Sequence, residues 1–124
     1  MKKFFALFVA IISMNASALI LFPCYNYASP NNAVSYSYQS CINSNFNSIE
    51  REVNAPIFLQ YCSNFGSGVD YSFTSCINNN FRSVERALSR PIFLSNCMNF
   101  SNTDLDFSFS SCVNNNFRSV ERGI

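Results

Sequence analysis

The sequence predicts an all-α fold: a short array of about three helical-hairpin repeats stapled by disulfides. Three observations predict it. The chain repeats with a period of about 35 residues, the mark of stacked supersecondary units that cannot bury their apolar faces alone. The units open at Cys24-Tyr-Asn-Tyr, Cys62-Ser-Asn-Phe and Cys97-Met-Asn-Phe, and end on Glu50-Arg51, Glu85-Arg86 and Glu121-Arg122. Between these points each passes through a second cysteine: Cys41-Ile-Asn-Ser-Asn-Phe, Cys76-Ile-Asn-Asn-Asn-Phe, Cys112-Val-Asn-Asn-Asn-Phe. Second, apolar residues recur at helical spacing inside every unit. Third, there are 6 cysteines, two in each unit.

Residues 1–18 have the layout of a secretory signal peptide. Lys2-Lys3 form a positive start, Phe4 to Met14 is an almost unbroken apolar run, and Ala16-Ser17-Ala18 offers small residues for cleavage before Leu19. The apolar run is too short to span a bilayer comfortably, so no stable membrane span is expected after cleavage. The alternative is an uncleaved N-terminal anchor continued by the apolar run Leu19-Ile20-Leu21-Phe22. A lipidated Cys24 is excluded because Phe22-Pro23 stand where small residues are needed. The mature chain, residues 19–124, is then one modest domain, with units over 24–61, 62–96 and a truncated 97–124.

Each unit should start its long helix after Ser35, Asp70 or Asp106, whose side-chain oxygens suit the N-cap position. The stripe Tyr38, Ile42, Phe46, Ile49, Val53 is that of an amphipathic helix, repeated in Phe73, Ile77, Phe81, Val84, Leu88 and in Phe109, Val113, Phe117, Val120. A second, shorter helix is expected from Pro56-Ile57-Phe58-Leu59 to about Phe65, and from Pro91-Ile92-Phe93-Leu94 to about Phe100, since proline suits a first helical turn. Gly66-Ser67-Gly68 and Ser101-Asn102-Thr103 mark loops. The third unit stops before any proline turn, which predicts a final long helix without a partner.

Export and an even cysteine count make a disulfide framework the default. The spacings from Cys41 to Cys62 and from Cys76 to Cys97 are equal, whereas the others vary. Pairing across the variable loops joins Cys24–Cys41, Cys62–Cys76 and Cys97–Cys112 and uses every cysteine. Pairing across the constant segment strands Cys24 and Cys112 unless the two ends of the array meet. Loops of about 15 residues give about 3 kcal/mol per bridge in the chain-entropy model. No metal is expected: the chain has no histidine and no Cys-x-x-Cys pair.

Charge excludes other classes. The full chain has a net charge of +1, and loss of Lys2 and Lys3 leaves arginines only, with acids in slight excess. No basic footprint for nucleic acid remains. Without lysine or histidine in the mature chain a serine nucleophile has no ordinary general base, and no phosphate-cradling glycine loop or other cofactor motif exists. The recurring glutamates, with Arg82 and Arg118 three residues ahead of Glu85 and Glu121, read as surface pairs or as a ladder between units. A carboxylate pair for glycoside hydrolysis is disfavoured because all copies carry the same residues.

The asparagines need a reason, because Asn is a mediocre helix former. Asn43, Asn45, Asn78, Asn80, Asn114 and Asn116 recur at matched helical positions. They either bridge neighbouring units or present a row of amides to sugar hydroxyls or a protein surface; a compositional bias toward Asn is the third explanation. The sequence reading is therefore a non-catalytic, exported binding protein, periplasmic or secreted, whose partner is a protein or glycan of the cell envelope or of another cell. The alternatives are a secreted effector (inhibitor or toxin) and a self-associating envelope protein that continues its array through the last helix.

Overall fold

The computed structural model describes residues 19–53, 55–88 and 91–124, so the leader expected at 1–18 lies outside the described residues. The fold is all-α, with three helices of 17 residues each among the described residues: α1 (Tyr36–Glu52), α2 (Tyr71–Ala87) and α3 (Phe107–Gly123). All three start after the expected N-caps. Ser35 Oγ accepts from the Tyr38 N–H at 3.2 Å. Asp70 and Asp106 make no such bond to their own helices. Their carboxylates turn back instead and accept the backbone N–H groups of Phe65 and Phe100.

The second helix of each unit does not form. Residues 55–62 and 91–97 are extended, and their burial alternates: Ala55, Ile57 and Leu59 face inward while Pro56, Phe58 and Gln60 face solvent. Such period-two burial is that of a strand, and the proline precedes an extended segment rather than a first turn. Residues 19–24 run the same way, with Leu19 and Leu21 inward and Cys24 buried. Leu19-Ile20-Leu21-x-x-Cys24 therefore matches Ile57-Phe58-Leu59-x-x-Cys62 and Ile92-Phe93-Leu94-x-x-Cys97. The structural unit is an extended segment, a loop and one helix, and the described residues hold it three times.

The disulfides join Cys24–Cys41, Cys62–Cys76 and Cys97–Cys112, with Cα–Cα distances of 5.6–5.7 Å. Each ties an extended segment to the helix of its own unit across the variable loop. The extra residues of the first loop close a tight turn in which Ser29 and Asn32 exchange backbone hydrogen bonds at 3.0 Å. Three disulfides with no free cysteine place the protein in an oxidising, extracytoplasmic environment.

The helical stripes meet on a pseudo-threefold axis. Phe46, Phe81 and Phe117 form a triangle with ring centroids 4.9–5.1 Å apart and edge-to-face angles of 61–63°, the arrangement aromatic quadrupoles favour. Around it pack Ile42, Ile77, Val113 and Ile49, Val84, Val120, all fully buried. The loops that precede the helices gather at one end. The Ala33 N–H donates to Ser67 O and the Val69 N–H to Asn102 O, each at 2.9 Å. A Cβ on Gly68 would collide with the Asn102 carbonyl, so this approach of two loops requires glycine.

Position 38 breaks the symmetry. Tyr38, Phe73 and Phe109 are each fully buried at matched positions, but only tyrosine carries a hydroxyl, and it has no hydrogen-bond partner. Burial pushes the phenol up to about 12; Ser110 is near enough to lower it somewhat but makes no well-formed hydrogen bond with it. The folded state thus holds this proton more tightly than the unfolded chain, whose tyrosines titrate near 10. Stability from this source is complete below pH 10 and is lost as pH rises toward 12, by about 3 kcal/mol in all. Tyr38→Phe should raise stability at neutral pH by about 1 kcal/mol, since an unpartnered buried hydroxyl is removed. Urea titrations of both proteins at pH 7 and pH 11 should also show a smaller alkaline loss in the variant.

Candidate functional site: the inter-unit seams and the aromatic end

The extended segments carry unpaired backbone groups on both flanks, and side chains of the helices fill that role. Residues two apart on a helix point to opposite flanks, so the two repeated asparagines of one helix reach two different segments. Asn45, Asn80 and Asn116 clasp the segment of their own unit. Each accepts the N–H and donates to the C=O of one residue: Phe22 (3.0 and 2.7 Å), Gln60 (2.8 and 2.7 Å) and Ser95 (2.9 and 2.8 Å). Asn43 and Asn78 reach the next segment and hold Cys62 (2.8 and 2.8 Å) and Cys97 (2.8 and 2.7 Å) in the same way.

Asn114 on the last helix reaches back across the whole chain to Cys24, at 2.8 and 2.9 Å. The array is therefore closed. The flank of α3 that was expected to lack a partner is covered by residues 19–24, so the first extended segment meets the last helix. The physical cause is the triangle of phenylalanines, because three equivalent units around one axis leave the last beside the first.

The glutamates complete each seam. Glu50, Glu85 and Glu121 accept the N–H groups of Leu59 (2.7 Å), Leu94 (2.7 Å) and Leu21 (2.6 Å), each on the following segment around the ring. This is the ladder between units. Arg82 and Arg118 turn to Asn79 and Asn115 instead, at 3.4 Å.

A row of amides offered to a ligand needs unoccupied donors and acceptors. In all six repeated asparagines the oxygen and the nitrogen bond to the chain's own backbone. Four of them, Asn43, Asn45, Asn80 and Asn116, are buried. Asn26, Asn64 and Asn99, present in every Cys-x-Asn-aromatic opening, serve the loops: their oxygens accept from the N-cap residues Ser35, Asp70 and Asp106. That role was legible in the repeat itself, since Asn is a residue whose side chain imitates a backbone turn.

The large exposed apolar side chains are mostly aromatic: Phe58 and Phe93 stand out from the extended segments, and a larger group lies at the helix starts. At each helix start the N-cap side chain accepts the N–H of an aromatic residue, Tyr27, Phe65 or Phe100. That residue is thereby brought beside the first residue of the helix, Tyr36, Tyr71 or Phe107. All six rings are exposed; Phe65, Tyr71, Phe100 and Phe107 exceed 80%. Because the loops gather at one end, these three pairs surround that end of the molecule.

Two clefts run along the helices. One, of about 320 Å³, lies between α2 and the segment after it, lined among others by Tyr71, Asn79, Arg82 and Met98. The other, of about 590 Å³, lies between α3 and the first segment, lined by Phe107, Asn115, Arg118 and Tyr25 among others. These residues hold matched positions in the repeat. Among the described residues no cluster of metal-ligating side chains occurs, and no helix is long and apolar enough to cross a membrane.

Fold and seams together define a class: a closed, pseudo-threefold helical protein in which side-chain amides and carboxylates bind extended backbone and disulfides tie each unit. Comparison with protein-family models, curated proteins and solved structures finds no match to this chain.

Proposed function

We infer that this is an exported, non-catalytic binding protein, delivered by the leader at 1–18, cleaved before Leu19 and acting in the periplasm or outside the cell. Its partner is a protein or glycan of the cell envelope or of another cell. The observation that supports this reading is the ring of exposed aromatic pairs at the loop end. Large apolar side chains grouped at one end of a small protein are unfavourable in water and mark contact surfaces. Aromatic residues also dominate the energetics of such surfaces. The frame beneath them is disulfide-stapled, so little ordering entropy is lost on binding.

The self-association reading depended on an unpartnered last helix, and that flank is covered by the first segment. The paired glutamates accept backbone N–H groups, a positioning task that leaves the catalytic reading without support of its own.

The test is binding of fluorescently labelled mature protein to intact cells and isolated envelopes. Saturable binding is expected, weakened at least tenfold by the double variant Phe65→Ser, Phe100→Ser. Both side chains are exposed, so the variant should keep its unfolding temperature. Absence of saturable binding, or binding indifferent to the substitutions, would overturn the reading.

A further inference from the structure

We propose that the two matched clefts are glycan subsites, so that this protein binds polysaccharide bivalently. The inference rests on the binding reading above and names its ligand class.

Four observations carry it. The clefts are built from the same repeat positions: Tyr71, Asn79 and Arg82 in one, Phe107, Asn115 and Arg118 in the other. Their volumes, about 320 and 590 Å³, suit one or a few sugar rings. The first is walled mainly by hydroxyl and amide groups; the second adds the rings of Tyr25 and Tyr27, Leu105 and the Asp106 carboxylate to its serines and asparagines. Each holds a single guanidinium and at least one exposed aromatic ring. Finally, Asn79, Asn115, Arg82 and Arg118 are solvent-exposed and, unlike the seam asparagines, hold no backbone.

This set of groups matches a pyranose better than other ligands. One face of the sugar ring is C–H-rich and stacks on an aromatic plane, while its edge carries hydroxyls for amides and a guanidinium fork. A hydrophobic small molecule would leave the arginine, asparagine and serine groups of both clefts unpaired. Nucleic acid would require several cations along the path, and each cleft has one arginine. The guanidinium serves neutral hydroxyls and, bidentately, the carboxylate of an acidic sugar.

The third seam provides an internal comparison. Between α1 and the segment after it, Ser44 replaces Asn79 and Asn115, Asn47 replaces the arginine, and Ser63 replaces Met98 and Tyr25. The depression on α1 there, also about 320 Å³, is lined by Ser44, Asn47, Ser48, Glu50 and Arg51. It lacks the arginine of the matched position and any aromatic ring, and its one cation stands beside a carboxylate, so it is expected to contribute no subsite. With two subsites on one rigid body, a polymer engages both, and avidity of about 100-fold or more over a short oligosaccharide follows.

The experiment is affinity electrophoresis of the mature, oxidised protein through native gels containing soluble polysaccharides. The panel holds β-glucan, galactomannan, glycol chitin, polygalacturonate and soluble peptidoglycan. Retardation by at least one of these is expected. Arg82→Ala or Arg118→Ala alone should weaken it about tenfold or more, and the double variant should abolish it with unfolding temperature unchanged. Retardation by polygalacturonate or peptidoglycan alone would assign the arginines to a carboxylate; retardation by neutral polymers assigns them to hydroxyls, and either supports the subsites.

No retardation by any polymer, or retardation equal in the double variant, overturns the proposal. Cell binding that survives periodate oxidation and the double arginine variant, yet fails in Phe65→Ser, Phe100→Ser, overturns the glycan subsites while leaving the binding function standing.

Discussion

Replacing Phe81 by alanine should destabilise the domain by about 3–5 kcal/mol. Small domains are stable by only about 5–15 kcal/mol, so the variant should stand near the edge of unfolding at 37 °C. The ring is almost fully buried and meets Phe46 at 5.1 Å and Phe117 at 4.9 Å. Removing it deletes two edge-to-face contacts and leaves a cavity on the axis where all three helices converge. The disulfides tie each helix only to its own segment, so no covalent bridge restrains the helices from parting there. Phe81→Leu should recover more than half of the loss, since it fills most of the volume. Urea denaturation of the oxidised protein measures both. A loss below 1 kcal/mol would show that the phenylalanine triangle does not organise the core.

Asn43→Asp should be destabilising by a comparable amount at neutral pH, although it changes one nitrogen to oxygen. The Asn43 amide nitrogen donates to Cys62 O at 2.8 Å and to Gln39 O at 2.9 Å, while its oxygen accepts from the Cys62 N–H at 2.8 Å. A carboxylate keeps the acceptor but loses both donors and sets a buried negative charge against two carbonyl oxygens. Asn43→Ala leaves the Cys62 N–H and C=O unpaired, at about 1–3 kcal/mol for each group.

The aspartate variant has a further signature. Its folded state favours the protonated acid, which can donate again, so the folded pKa is raised above the unfolded value. The penalty is therefore relieved as pH falls through the folded pKa and is smallest below the ordinary aspartate range. Denaturation of both variants across pH 3–7 checks this. An Asn43→Asp protein with the parent's pH profile would refute the amide clasp as the bond that joins one unit to the next.

Much of this architecture was legible in the sequence. The stripe from Tyr38 to Val53 and its two copies marked the helices, and Ser35, Asp70 and Asp106 marked their starts. The cysteine spacing favoured the pairing that the structure has. The second helices were misread because Pro56-Ile57-Phe58-Leu59 contains a proline suited to a helix start and a short apolar run, which does not distinguish helix from strand. The alternation of Ala55, Ile57 and Leu59 against Pro56, Phe58 and Gln60 was the competing signal. The third extended segment, Leu19–Cys24, was hidden by its position. Following the leader directly, its Leu-Ile-Leu-Phe run reads as more of the same apolar stretch.

The tasks of the polar residues were less legible. Repetition of Asn43 and Asn45 showed that a reason existed, and bridging between units was one of those weighed. Choosing it required knowing that extended backbone lies on both flanks of every helix. The clefts were out of reach in the same way, because Arg82 and Met98 are distant in sequence and meet only across a seam.

The sequence by itself determined the period, the helices, the caps and the disulfide-bearing loops, because each of these depends on neighbours within about one helical turn or on cysteine spacing. Tertiary structure alone decided that the array closes. A repeat read along the chain has a first and a last unit. Three equivalent faces whose phenylalanines converge on one axis have neither, so Asn114 and Glu121 find the backbone of Cys24 and Leu21. The same convergence satisfies the backbone of each extended segment with side chains from two helices, a partnership no local pattern encodes.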